Sequence, residues 1–222
     1  MTDLALELRA LRPRRALHSW RAPLTMGVRS GSFVTLVTSP SQAAALFRLT
    51  LGIEEPAAGA LRVFGVEPHR LSRAACRAMR RRIGSSLLPD GLMANITVRA
   101  NVVLPLVYGD GLSSIDAHRR SEEILAHFTL DMWADHRPSD LPPDTRQVVA
   151  LARAVAARPD LLLLHDPHTS LANSESLRLI RLCRTYAATI VVAVHDDDAP
   201  TCLLADTSAV WDEHGYRELA LA

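Results

Sequence analysis

The 222-residue sequence contains no lysine: all 25 of its basic side chains are arginine. High-GC coding bias is the plain cause, and the consequence is that no phosphate-binding lysine can stand anywhere in the chain. An excess of charge is also lacking. The formal net charge of +1 offers no overall basic field for nucleic acid and no acidic field. Long apolar runs are missing: none approaches the roughly 20 residues of a membrane span, and the N-terminus has no signal-peptide apolar stretch. A cytoplasmic location is expected. The three cysteines, Cys76, Cys183 and Cys202, lack metal-ligand spacing, so buried free thiols in a reducing compartment are expected. Repeats and low-complexity linkers are absent, and the length suits one α/β domain.

What is present is organised around Arg146 to Leu171. Val148, Val149, Leu151, Ala152, Val155 and Ala156 recur at helical spacing, and Pro159 ends the pattern before the run Leu161 to Leu164. A run of four leucines suits a parallel strand covered on both faces. Beyond it stands His165-Asp166-Pro167, where open α/β sheets place their ligand sites. Asp144 reads as the N-cap of the helix.

This stretch resembles the signature helix and Walker B strand of ABC-transporter nucleotide-binding domains, whose usual form is RQRVALARAL followed by PELLLLDEPTSGLD. The resemblance extends over Gly31 to about Trp211. Residues 31–37 (GSFVTLV) resemble the strand that leads into a P-loop, and a helix is expected from Gln42 to Leu51, closed by Gly52. Short strands are expected at Leu24–Val28, on an edge, and at Ala60–Phe64. The segment Leu71 to Arg82 reads as an Arg-studded helix leading to Ile83-Gly84, and resembles the LRRRIG of the family. Residues 95–106 resemble LTVRENVALPL, followed by a helix over Ser114–His127. The C-terminal part reads as a helix over Ser174–Ala187, a strand over Thr189–Val194 and a terminal strand around Thr207–Trp211. The implied fold is a P-loop-NTPase-like (RecA-like) α/β core with a mostly parallel sheet and an antiparallel β region. The implied organisation is a single domain, 1–222, with residues 1–88 and 141–222 as core and 89–140 as a helical subdomain insert.

The residues that carry the family's chemistry are altered. A P-loop turns consecutive backbone N–H groups toward phosphate through glycines, adds a lysine charge and uses a Ser/Thr hydroxyl for magnesium. In register with the family, the loop here is Thr38-Ser39-Pro40-Ser41, Gln42 replaces the last glycine, Ala43 the lysine, and Ala44 and Ala45 the hydroxyl pair. Pro40 removes a donor, leaving a helix N-terminus for weak anion binding. His165 stands for the magnesium-linked Asp, although neutral imidazole is a poor magnesium ligand. Asp166 stands for the Glu that positions water, one methylene short. Leu88 replaces the Q-loop glutamine, Pro142, Pro143 and Asp144 replace the signature loop, and Ala172 stands at the D-loop. Only His195 matches its counterpart, the switch histidine. The nucleotide-stacking aromatic compares with His18 or Trp20.

The resemblance thus implies a pseudo-ATPase: a catalytically degenerate structural or regulatory subunit of a membrane transporter. Neither ATP nor magnesium is expected as cofactor unless an unconventional phosphate site exists. A permease subunit is the expected partner, through residues 89–140, with a second ATP-binding subunit as homo- or heterodimer partner and no nucleic acid. The protein is expected to lie peripheral to the inner face of the membrane. Each site of such a dimer is composite, so both sites are expected to be impaired. The run Arg80 to Leu106 most resembles ATPases of Mla/Mce-type lipid-trafficking transporters, with cell-division and lipoprotein-export relatives sharing parts of it. Other readings are an ATP-independent adaptor for a soluble partner, and a metal site from His165, Asp166, His168, His195 and Asp196 at neighbouring strand ends. Histidines tolerated after ATP chemistry was lost are the plainer account of the second. Asp196 to Asp198 read as a solvated loop, and the arginines of 70–82 as a wet helix face or an anionic-lipid patch.

Overall fold

The computed structural model describes residues 3–14, 20, 22–86, 91–109, 111–167, 169–196, 200–212 and 214–219. Two sheets form. The larger carries six strands in the order β5 (Ile83–Ser86), β6 (Leu161–His165), β7 (Thr189–Val194), β3 (Phe33–Thr38), β8 (Thr207–Asp212) and β9 (Gly215–Leu219). All pairings are parallel except the last, where β9 returns antiparallel on β8. The four leucines divide by strand alternation. Leu161 and Leu163 enter one apolar core, Leu162 and Leu164 the other, and all four are fully buried. This is the two-faced burial that a parallel strand between helices requires.

One core lies under the second sheet, which has the antiparallel order β2 (Leu24–Arg29), β1 (Leu4–Pro13) and β4 (Pro56–Val63). Helices α1 (Pro40–Thr50) and α2 (Arg73–Arg81) close it. The other core is covered by α3 (Val98–Tyr108), α4 (Ser114–His127), α5 (Pro143–Val155) and α6 (Asn173–Arg184). Val98, Leu106, Ile124 and Phe128 belong to the same cluster as Val149 and Leu162, so the 89–140 segment shares its apolar core with the rest.

Four expectations need correction. Strand β1 was not anticipated from sequence; Ala10 at φ 47° lies in a register shift of its pairings and breaks the period-2 pattern. Strand β9 adds a second terminal strand beyond β8. Helix α1 starts two residues before Gln42, because Ser39-Pro40-Ser41-Gln42 is a capping box with proline at the first position. Asp144 is not the N-cap of α5: Pro142 holds that place with Pro143 as first helical residue, and Asp144 accepts from Thr145 N at 2.6 Å. The fixed φ of proline suits these positions, where a free N–H is not needed. The thiols are free; Cys76 and Cys183 are buried and Cys202 is half-buried. Burial pushes the Cys183 thiol up to about 12, so it stays unreactive.

Candidate functional site

The ends of β3, β6 and β7 meet beside the N-terminus of α1. A single residue, Ser39, separates β3 from α1. Its Oγ accepts from Gln42 N at 3.3 Å and donates to Gln42 Oε1 at 2.7 Å, while Ser39 N donates to the same Oε1 at 3.3 Å. Of the donors that this helix N-terminus could offer to an anion, Pro40 has none and Gln42 N serves the cap. Gln42, Ala43 and Ala45 are buried, Ala44 is half-buried and Ser41 is exposed. No loop with room for a phosphate lies between strand and helix.

A hollow of about 470 Å³ adjoins this junction, with Thr38, Ser39, Gln42, His195, Trp211 and Asp212 in its lining. Thr38 Oγ1, Gln42 Nε2 and Trp211 Nε1 are buried without a hydrogen-bond partner. All three belong to residues that line the hollow. Trp20, compared above with a stacking aromatic, is 5% exposed and packs edge-on against Trp211 with centroids 4.2 Å apart. Its Nε1 donates to Leu11 O at 3.3 Å. It is a core residue and presents no face to a base. His18 lies outside the described residues.

The strand ends do gather His165, Asp166 and His195. Pairing of β6 with β7 sets His165 opposite Ala193, and Asp166 follows at φ 42°. Asp166 is 2% exposed. Its N donates to Ala193 O at 2.8 Å, and its carbonyl accepts from Gln147 Nε2 at 3.3 Å and Thr169 Oγ1 at 3.0 Å. Its Oδ1 takes the ring Nδ1 of His195 at 2.9 Å and His195 N at 3.3 Å. The carboxylate therefore ties β6 to β7, and its backbone ties both to α5. Sequence reading missed Gln147 in this network; no local pattern marks a contact across 19 residues.

His165 is the last residue of β6 and is 4% exposed, with Nε2 3.7 Å from Asp166 Oδ2 and no hydrogen bond. Burial lowers its pKa, opposed by Asp166 and assisted by His195. A lowered folded pKa means that the unfolded chain takes up the proton first as pH falls. The stability this neutral ring contributes is complete above the unfolded value of about 6.5 and is lost below it, with a limiting slope of about 1.4 kcal/mol per pH unit. Urea midpoints of wild type and His165→Leu, at about pH 7.5 and about pH 5.5, check this. The variant is expected to lose less between the two.

Among the described residues no group of three His, Cys, Asp or Glu side chains is placed to hold a metal ion. His168, Asp197, Asp198 and the Q-loop counterpart Leu88 lie outside them. Pro142 and Pro143 open α5 without a side-chain cap, and Ala172 opens α6 likewise. Neither Gly nor Ser stands in the first turn of α5.

A family model described as ABC transporter matches residues 24–169. The chain belongs to the ABC transporter family. A methionine import ATP-binding protein from Xylella fastidiosa is 31% identical over 90% of this chain and 60% of its own length. A lipoprotein-releasing system ATP-binding protein from Chromohalobacter salexigens is 31% identical over 78% of the chain and 75% of its own length. An uncharacterized ABC transporter ATP-binding protein of Mycobacterium tuberculosis is 35% identical over 84% of the chain. The chain spans 60% of the first of these proteins and 56% of the last. Among solved structures, a dimeric bacterial ABC transporter cassette superposes with TM-score 0.84 at 20% identity, over 98% of this chain and all of that one. A component of an ABC transporter complex from Clostridium perfringens superposes with TM-score 0.78 at 20% identity, over 98% and 88%. These structures establish the ABC cassette fold.

Proposed function

We propose that this ABC cassette is a degenerate ATP-binding subunit, serving a membrane transporter as a structural or regulatory partner without hydrolysing ATP itself. The observation that carries this reading is the β3–α1 junction. One residue, closed by its own capping box, stands where the family's phosphate loop would have to wrap a ligand. Magnesium does not fit the neighbouring strand end: His165 offers a buried neutral imidazole, and Asp166 is already engaged by His195. ATP fits no better, with no lysine in the chain, no glycine from Thr38 to Ala45 and a buried Trp20. On the dimer, Pro142 and Pro143 would meet the partner's nucleotide without the donors a signature loop supplies, so both composite sites are impaired.

Under this reading residues 1–88 and 141–222 are the α/β core, and residues 89–140 the helical subdomain that meets a permease. No helix among the described residues is long and apolar enough to cross a membrane, and association would be peripheral, on the cytoplasmic face. The Mla/Mce lipid-trafficking type rests on the run from Arg80 to Leu106 alone; the relatives named for lipoprotein release and for methionine import belong to neither of these types by name.

A second reading, an unconventional phosphate site, has one observation in its favour. The unpartnered Thr38 Oγ1, Gln42 Nε2 and Trp211 Nε1 belong to residues lining one hollow beside His195. Turnover of magnesium-ATP by the purified chain, with calorimetric titration of ATP, separates the two. The expected result is no turnover above a denatured control and no heat of binding. Binding without turnover supports the second reading, and measurable turnover overturns the first and favours the second.

A further inference from the structure

Six buried side-chain polar atoms have no hydrogen-bond partner among the described residues, and three of them, Thr38 Oγ1, Gln42 Nε2 and Trp211 Nε1, belong to one corner of the fold. Strand pairing makes that corner. Thr38 stands opposite Trp211 where β3 runs beside β8, and Val37 stands opposite Val194 where β3 runs beside β7, so His195 follows next to Thr38. Strand alternation turns Thr38 to the face of Val34 and Leu36, and Trp211 to the face of Ala209. Those apolar residues pack with Ala43 and Leu46 of α1. Gln42, from the first turn of the same helix, lines the 470 Å³ hollow together with Thr38, His195 and Trp211.

A buried donor without a partner has given up its hydration for nothing, so native folds leave few of them. Local contacts fix both donors here. Gln42 is 1% exposed, and its Oε1 is held by Ser39 Oγ at 2.7 Å and Ser39 N at 3.3 Å, which leaves Nε2 as the free end of the amide. Trp211 is 0% exposed, with the Trp20 ring edge-on at 4.2 Å. Two acceptors stand beside them. Thr38 offers its hydroxyl oxygen, and His195, whose Nδ1 faces Asp166 Oδ1 at 2.9 Å, offers Nε2 when the ring is neutral. No arginine lines the hollow among the described residues, and its one carboxylate, Asp212, is met by Arg217 at 2.9 Å. A phosphate would enter with its charge unmatched and Asp212 beside it.

We propose that this corner binds a small neutral primary carboxamide. The carbonyl oxygen has two lone pairs for Gln42 Nε2 and Trp211 Nε1, and the amide nitrogen has two N–H groups for Thr38 Oγ1 and His195 Nε2. Val37, Pro40 and Val210 line the remainder and suit an apolar body. A carboxylate matches the two donors but brings an unmatched charge and leaves both acceptors unused. A polyol sets hydroxyls against the three apolar residues. The inference goes beyond the degenerate-subunit reading and does not depend on permease docking.

The test uses the full chain, isotope-labelled for nitrogen NMR, with benzamide as probe. Benzoate and acetophenone are the comparisons: one keeps the shape and adds a charge, the other keeps the carbonyl and lacks the N–H groups. The indole signal of Trp211 is the one missing from Trp211→Phe. Benzamide is expected to shift it saturably, with an affinity about tenfold or more above that of either comparison. Gln42→Glu keeps the oxygen that serves the cap and loses Nε2, and Thr38→Val loses the hydroxyl. Each is expected to weaken benzamide by about tenfold. Thr38→Val is also expected to be at least as stable as wild type in urea, since it removes an unpaired group. No shift of the Trp211 signal up to the solubility of benzamide overturns the proposal, as does undiminished binding by both variants or equal binding of acetophenone. Equal binding of benzoate, or displacement of benzamide by inorganic phosphate or ATP, overturns it in favour of an anion site. Magnesium-ATP turnover that leaves the benzamide titration unchanged defeats the degenerate-subunit reading alone.

Discussion

Gly84→Ala is expected to destabilise the protein by about 3 kcal/mol or more, at the upper end of overpacking costs. A Cβ on Gly84 would lie 2.0 Å from the carbonyl oxygen of Ala154 and 3.0 Å from its carbon, both backbone atoms of α5, and 2.8 Å from Pro159 Cγ. No rotamer change relieves a clash with helix backbone, so β5 or α5 must move. Neither moves alone. Strand β5 pairs with β6 from Ile83 opposite Leu161 to Ser86 opposite Leu164, and α5 buries Val149, Leu151 and Val155 in the core. Gly84 also lines a groove between α2, α3 and α5. Urea unfolding measures the loss, and a Gly84→Ala protein as stable as wild type would mean that the helix is not held against the strand.

The main strands were legible because their chemistry is local. Thr189 to Val194 is β-branched except at Ala193 and apolar after Thr189, and every residue of it is buried. The helix over Ser114–His127 shows its own start, with Ser113 accepting from Asp116 N. Strand β1 was not legible, since its alternation is interrupted where Ala10 takes a positive φ and the register slips. The start of α1 was legible in principle: Ser39 and Gln42 have capping-box spacing around Pro40. Reading the segment as a shortened phosphate loop hid it. At the site, the meeting of Asp166 with His195 follows from adjacent parallel strands. The burial of Trp20 against Trp211 does not follow from sequence, because it brings the segment before β2 onto the end of β8. Likewise the Gln147 contact with Asp166 O depends on how α5 sits on β6.

Restoring the missing lysine should harm the protein without reviving it. Ala43, the residue proposed as counterpart of the lysine, is 1% exposed and belongs to the apolar cluster that holds Leu36, Leu46 and Phe47. Its N–H is spent on Ser39 O at 3.0 Å, inside the first turn of α1. In a wrapped phosphate loop the lysine charge is matched by phosphate. Here the shortened junction provides no such anion, and an ammonium group at this position must be desolvated unpaired or reach for the hollow beside His195 at the cost of the capping box. Ala43→Lys is therefore expected to lose about 3 kcal/mol or more and to gain no magnesium-ATP turnover. Ala44→Lys is the control, one residue on and half-buried, with an expected loss within about 1 kcal/mol because its long side chain can run out to solvent. Urea unfolding of both variants beside a turnover assay decides the matter. If Ala43→Lys keeps wild-type stability and hydrolyses ATP, the junction can reopen into a phosphate loop, and the degeneracy would reside in the lost side chains alone.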